Sequence, residues 1–167
     1  MENNYLFATI IRLVFPLSIF IFPFWGVVFS MLLDAFDVFL PGFPGMESFQ
    51  NYQYWDKALD TYYLTIAFLT TISWKDQLAK NISLLLYSLR TIGVFLFVVT
   101  EQRYWLFFFP NFFEYYFLFY LGYKYFYKKD PLNSKAFLGI FLIIVVLKVV
   151  QEYILHYGKY EFWKWIK

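Results

Sequence analysis

Long apolar runs alternate with short polar breaks along the whole chain, and this pattern predicts an all-α protein. The breaks contain proline, glycine, lysine or acidic residues, which commonly mark helix ends. Several runs approach the length of about 20 apolar residues that a helix needs to cross a bilayer. The predicted spans cover residues 5–33, 57–73, 78–99, 105–127 and 136–156. The pattern thus indicates a polytopic transmembrane helical bundle with five spans, or six if the first run forms a hairpin.

The first run is longer than one span requires. As a helix its 29 residues would extend about 43 Å, whereas the hydrocarbon core is about 30 Å thick. Arg12, Pro16 and Pro23 interrupt the run, and proline kinks a helix because it removes an internal hydrogen bond. Three arrangements fit: one long kinked helix, an interfacial helix followed by a span, or a tight hairpin broken at Pro23. We favour the second, with Arg12 near the headgroups and a kinked span over residues 14–33.

Composition agrees with a membrane protein. Of the 167 residues, 61% are hydrophobic, 28% aromatic and 16% charged, whereas about 25% of residues are charged in soluble domains. The net charge of +2 and the dispersed basic residues argue against nucleic-acid binding. The absence of cysteine excludes disulfides, thiolate metal sites and cysteine nucleophiles. We therefore predict one integral membrane domain over residues 1–167. Its partner is the lipid bilayer (the cell membrane, in a prokaryote), and a homodimer is compatible with it.

Four aspartates flank the loop between the first two predicted spans. Asp34 and Asp37 are three residues apart at the end of one apolar run, and Asp56 and Asp60 are four apart at the start of the next. In helices each pair shares a face. Carboxylates brought together repel one another unless a positive charge lies between them, and Mg²⁺ and Mn²⁺ prefer oxygen ligands. The spacing is typical of a metal site, while solvated acids at two helix ends are the alternative.

Further charged residues fall within the later predicted spans. Arg90, Glu114 and Lys148 lie near span centres, and Glu152 lies toward one end of the last span. An ionised group at the bilayer centre costs at least about 2.5–3.5 kcal/mol, so each should face the protein interior and have a partner. One interpretation is a structural network in which Glu114 neutralises Arg90 or Lys148. Another is a polar cavity in which Arg90 and Lys148 bind a substrate phosphate. A third is an ion relay through Glu114, Glu152 and Lys148.

The aspartate spacing resembles that of the CDP-alcohol phosphatidyltransferases. These helical membrane enzymes carry Asp-x-x-Asp-Gly-x-x-Ala-Arg and, eight residues later, Gly-x-x-x-Asp-x-x-x-Asp. Here Asp34-x-x-Asp37 precedes Asp56-x-x-x-Asp60, with 19 positions from Asp37 to Asp56 where the family has eighteen. The segment over residues 4–12 is similar to the Asn-x-Leu-Thr-x-x-Arg segment near the N-terminus of the family.

The resemblance implies a metal-dependent transferase of phospholipid biosynthesis, with a lipid or nucleotide-alcohol substrate. Asp34, Asp37 and Asp56 would be ligands of Mg²⁺ or Mn²⁺. Asp60 would be a further ligand or the catalytic base that takes the proton from the acceptor alcohol. The metal would neutralise the diphosphate and let CMP leave.

Three functions are consistent with the sequence. The first is a divergent metal-dependent phosphotransferase that acts on a lipid or alcohol substrate within the membrane. The second is a non-catalytic protein, an assembly partner or a degenerate relative, because Val38 and Tyr52 replace family glycines and Pro41-Gly42 replaces Ala-Arg. Glycine permits a close approach that larger side chains prevent. The third is a small ion-coupled transporter that uses the relay of buried charges.

Overall fold

The protein is helical in nearly all of the part that the structure describes. A computed structural model describes residues 2–37, 49–129, 131–132 and 135–154. The helices are α1 (Glu2–Val14), a 3₁₀ helix (Phe15–Phe20), α2 (Pro23–Asp37), α3 (Phe49–Thr71), α4 (Gln77–Thr100), α5 (Tyr104–Phe108), α6 (Phe112–Tyr127) and α7 (Lys135–Glu152). Within these described ranges there is no strand, which confirms the all-α prediction.

The chain divides into two compact units, Met1–Lys80 and Asn81–Lys167. In the first unit, α1, the 3₁₀ helix, α2 and α3 pack around buried apolar side chains. These are Ala8, Ile19, Val27, Leu59, Tyr63, Leu64, Ile66 and Ala67. The prediction of one domain over residues 1–167 stays a prediction.

The first apolar run folds as a helical hairpin. The chain leaves helical geometry at residues 21–22, and α2 begins with Pro23. Proline suits the first position of a helix, because its fixed φ matches the helix and its missing N–H has no partner there. The chain then reverses, since Gly26 of α2 lies against the backbone of Ile19. The single kinked span predicted over residues 14–33 is therefore wrong, and the alternative of a hairpin broken at Pro23 matches the structure.

α4 and α7 begin within one residue of the predicted spans. α3 begins at Phe49, eight residues before the predicted start at residue 57, so that predicted boundary is wrong. α4 agrees with the predicted span over residues 78–99 to within one residue at each end. The continuous helix predicted over residues 105–127 is wrong, because the chain is not helical from Phe109 to Asn111. Pro110 cannot donate a helical hydrogen bond. Asn111 then caps α6, since its side chain accepts a hydrogen bond from the Glu114 amide.

α4 is the one helix in the described ranges that is long and apolar enough to cross a membrane. It has 24 residues and a mean hydropathy of 2.1 over its most apolar window. The hairpin contributes two shorter apolar helical stretches, Leu6–Phe20 and Pro23–Ala35.

The core of the second unit is largely aromatic. Its fully buried side chains include Phe97, Phe113, Tyr116, Phe117, Tyr120 and Phe137. The rings of Phe119 and Phe137 stack with centroids 4.9 Å apart and so join α6 to α7. Edge-to-face contact between Tyr87 and Phe113, with centroids 5.7 Å apart, joins α4 to α6. Aromatic pairs of this kind contribute beyond the area that they bury.

Gly93 lies where α4 meets the non-helical residues that precede α6. A Cβ at this position would lie 2.3 Å from the Cβ of Phe109, well inside the contact distance of two carbon atoms. The Phe109 Cβ is fixed by its backbone, so we expect Gly93→Ala to lower the free energy of unfolding by about 1–3 kcal/mol. Gly139→Ala in α7 is the matched control, because a Cβ there meets nothing within 4 Å. Unfolding of both variants in detergent measures the difference, and equal stability of the two would contradict this packing.

Candidate functional site

Three of the four predicted aspartates converge in the first unit. Asp34 lies in the last turn of α2, and Asp56 and Asp60 share one face of α3. One carboxylate oxygen of each lies within 4.8 Å of the others. Asp37 ends α2, but its side chain lies outside the described part of the structure. The aspartate cluster is therefore Asp34, Asp56 and Asp60.

The Arg12 guanidinium lies between these carboxylates. Its Nη2 donates to Oδ1 of Asp34 and, at 3.0 Å, to Oδ1 of Asp60. Its Nη1 donates to Oδ1 of Asp56 at 3.1 Å. The guanidinium also lies over the ring of Trp55, 5.2 Å from the centroid, at the distance of a cation–π contact. Arg12 is 5% exposed, and its three anionic partners offset the cost of burying its charge.

Lys57 bridges the two aspartates of α3 from the other side. Its Nζ lies 2.6 Å from Oδ2 of Asp56 and 2.6 Å from Oδ2 of Asp60. Asp56 and Asp60 thus contact Arg12 through one oxygen and Lys57 through the other. Three carboxylates and two cations leave the cluster with one net negative charge when all five groups are ionised.

The aspartates differ in their exposure to solvent. The side chain of Asp34 is 35% exposed, that of Asp56 14% and that of Asp60 8%. Asp34 lies just beyond the first predicted apolar run, residues 5–33. Loss of water around it, together with the negative charges of Asp60 and Asp56, raises its pKa, and the opposing effect of Arg12 and Lys57 is smaller.

A small cavity adjoins the cluster. Its volume is about 10 Å³, the space of a single water molecule. It is lined by Arg12, Pro16, Ser30, Leu33, Leu59 and Tyr63. The cavity can hold a water beside the guanidinium, but it is too small for a nucleotide.

Comparison with known proteins gave no match. No family model, no curated protein and no solved structure matches the chain. The resemblance to the CDP-alcohol phosphatidyltransferases therefore stays a prediction based on the aspartate spacing. The identity of the metal stays a prediction as well.

The other predicted site residues lie along α4, α6 and α7. Arg90 is 4% exposed and donates from Nη1 to the backbone carbonyl of Phe109 at 3.2 Å. Glu114 accepts from Nδ2 of Asn111 at 2.6 Å. Lys148 donates to Gln151 at 3.3 Å, and its Nζ lies 5.1 Å from the ring centroid of Tyr115.

The structural network, the phosphate site and the ion relay all stay predictions. Arg90 contacts a backbone carbonyl and Glu114 contacts a side-chain amide. The side chain of Glu152, predicted to belong to a buried polar network or a relay, lies outside the described part of the structure.

Sequence reasoning missed the two cations of the cluster. Arg12 was placed near the headgroups, although a lone charge in an apolar helix signals a buried partner. It also belongs to the segment that resembles the N-terminus of the phosphatidyltransferases. Lys57 lies between Asp56 and Asp60 in sequence, and its reach to both carboxylates could have been inferred from helical geometry.

Proposed function

We propose that the chain is an integral membrane phosphotransferase of the CDP-alcohol type, which uses Mg²⁺ or Mn²⁺ and acts on a lipid or alcohol substrate. One observation carries the proposal: the aspartate cluster brings oxygens from two helices to within 4.8 Å of one another. Asp34 and Asp56 are 22 positions apart in the sequence. The three aspartates belong to the four that the sequence spacing predicts as metal ligands.

The apolar outer surfaces of two helices support a position in the membrane. On α4 the exposed side chains include Leu84, Leu85, Ile92, Phe95 and Val99, and on α7 they include Leu138, Leu142, Ile143, Val146 and Leu147. Large exposed apolar surfaces mark contact with lipid or with another protein. We infer that lipid covers them and that the chain crosses the bilayer more than once, as the hydropathy pattern predicts.

The donors of the cluster fit a hard divalent cation. Mg²⁺ and Mn²⁺ prefer carboxylate oxygens at about 2.0–2.6 Å, so oxygens on one ion lie about 3–5 Å apart. The spacing within the cluster falls in this range. When bound, such an ion would neutralise the diphosphate of the donor and favour departure of CMP.

Asp60 is assigned as the general base. Its carboxylate would accept the proton of the acceptor hydroxyl as that oxygen bonds to phosphorus and the bond to CMP breaks. Lys57 contacts one of its oxygens at 2.6 Å and so fixes the orientation of its carboxylate. Asp60 is also the least exposed aspartate of the cluster, and a reaction there would be shielded from bulk water.

A non-catalytic role is the second candidate, because Arg12 and Lys57 already neutralise most of the cluster. In this case the five charged groups tie α1, α2 and α3 together, and no metal ion is required. Buried ion pairs of this kind specify one arrangement of helices in some proteins. The two candidates differ in whether the purified protein binds a divalent cation.

Asp56→Asn separates the two candidates. For the phosphotransferase we expect the full-length protein in detergent to bind Mn²⁺, as followed by electron paramagnetic resonance. The variant should bind Mn²⁺ at least about tenfold more weakly, because it lacks one ligand charge. It should also lose Mn²⁺-dependent release of CMP from CDP-diacylglycerol.

Glu101→Gln is the control for this experiment. Glu101 is exposed and follows α4, so its neutralisation should leave both measurements unchanged. Absence of Mn²⁺ binding by the unmodified protein, together with lower stability of Asp56→Asn, would support the non-catalytic role instead.

A further inference from the structure

We infer that Arg12 competes with the divalent cation, so that the metal enters the aspartate cluster by displacing the Arg12 guanidinium. The inference rests on the metal site of the proposed function and adds its regulation. The N-terminal helix α1 would then close the site when no metal is bound and release it when metal arrives.

The contacts of Arg12 are those that a shared cation would make. Its two terminal nitrogens reach one oxygen on each of the three aspartates. Lys57 contacts the two aspartates of α3 from their other oxygens. Arg12 therefore already occupies the centre of the cluster.

Charge balance favours exchange of Arg12 for the metal over addition of the metal to Arg12. With Lys57 in place, three carboxylates retain two negative charges, which one divalent cation neutralises. If Arg12 stayed as well, the cluster would carry one net positive charge. The guanidinium and the ion would also lie within a few ångströms of each other in a partly dry site, where like charges repel strongly.

The exposure of Asp34 gives the ion an entry side, and Trp55 is a further partner for the guanidinium. Asp34 is the most exposed of the three carboxylates, so the ion would approach from the side of α2. The cavity beside Arg12 is the size of one water, which is too small for a guanidinium. The face of Trp55 already contacts the guanidinium, and a cation–π contact with it can persist when the carboxylates are released.

Mn²⁺ binding to Arg12 variants tests the inference. The full-length protein, Arg12→Gln and Arg12→Lys are titrated with Mn²⁺ alone in detergent, and binding is followed by electron paramagnetic resonance. Without the competing charge, Arg12→Gln should bind Mn²⁺ about tenfold more tightly or better. Arg12→Lys should fall between it and the unmodified protein, because lysine lacks the fork that reaches several carboxylates. Arg103→Gln, the same substitution outside the first unit, should bind as the unmodified protein does.

Thermal unfolding tests whether Arg12→Gln still folds. This variant leaves three carboxylates facing Lys57 alone, so in EDTA it should unfold at a lower temperature than the unmodified protein. Mn²⁺ should raise its unfolding temperature more than that of the unmodified protein, because the ion replaces the missing charge. If Arg12→Gln does not fold even with Mn²⁺, the Mn²⁺ affinity of Arg12→Lys tests the inference.

Each outcome separates this inference from the proposed function. Equal or weaker Mn²⁺ binding by both Arg12 variants overturns the competition, even if the unmodified protein binds metal and transfers phosphate. Mn²⁺ binding by Arg12→Gln but not by the unmodified protein supports the competition and shows that Arg12 keeps the site closed. That outcome contradicts the proposed metal-dependent activity of the unmodified protein.

Discussion

Asp60→Asn should lower phosphotransfer to the acceptor alcohol by about 10²–10⁴-fold, the usual contribution of a general base. An amide keeps the shape of the side chain but cannot take the proton of the hydroxyl. Asp60 lies 3.0 Å from Arg12 and 2.6 Å from Lys57. The measurement is product formation from a CDP-alcohol at saturating Mn²⁺.

Activity at saturating Mn²⁺ distinguishes a role of Asp60 as general base from a role as metal ligand. If Asp60 serves mainly as a ligand, excess Mn²⁺ should restore much of the activity of Asp60→Asn. If it is the base, the rate should stay low however much Mn²⁺ is added. Glu101→Gln again serves as the control, and activity of Asp60→Asn equal to that of the control would remove Asp60 from the mechanism.

Gly26→Ala should be strongly destabilising, with a loss of about 3 kcal/mol or more. A Cβ at Gly26 would lie 2.7 Å from the backbone nitrogen of Ile19 and 2.8 Å from its Cα. These atoms belong to the backbone of the 3₁₀ helix, so no side-chain rotation can relieve the clash. Ile19 is itself fully buried, and α2 would have to move away from it.

The consequence of Gly26→Ala should reach the aspartate cluster. Separating α2 from the 3₁₀ helix moves Asp34 relative to Arg12, so both stability and Mn²⁺ affinity should fall. Gly139→Ala should change neither, because its Cβ would lie in open space. Stability of Gly26→Ala equal to that of Gly139→Ala would mean that the hairpin is not packed as described.

The sequence predicted best the features that depend on residues close together in the chain. Spacings of three and four residues placed acids on shared helix faces, and the uniform apolar run of α4 defined both of its ends. The run around Pro110 is apolar on both sides, which favours one continuous helix in the hydropathy pattern, but proline interrupts a helix in any context.

The contacts of Arg12 could not be read from periodicity. Its partners lie 22, 44 and 48 positions away, and only the reversal of the chain before Pro23 brings the end of α1 next to the end of α2. That reversal depends on the contact between Gly26 and Ile19, a matter of close packing in space. The spacing of the acids predicted that something positive lies between them; the fold determined that in this structure it is a guanidinium.

The ion pairs between Arg12 of α1 and the aspartates of α3 have a consequence for the synthesis of the chain. A ribosome adds about 5–20 residues per second, so 44 further residues, those that separate Arg12 from Asp56, take about 2–9 seconds. For the first half of that interval none of the three aspartates that pair with Arg12 has been made, and for the second half only Asp34, 22 positions on, is present. Until then Arg12 must remain in contact with water or with other anionic groups. Packing of α1 against α3 is therefore among the last events in assembly of the first unit.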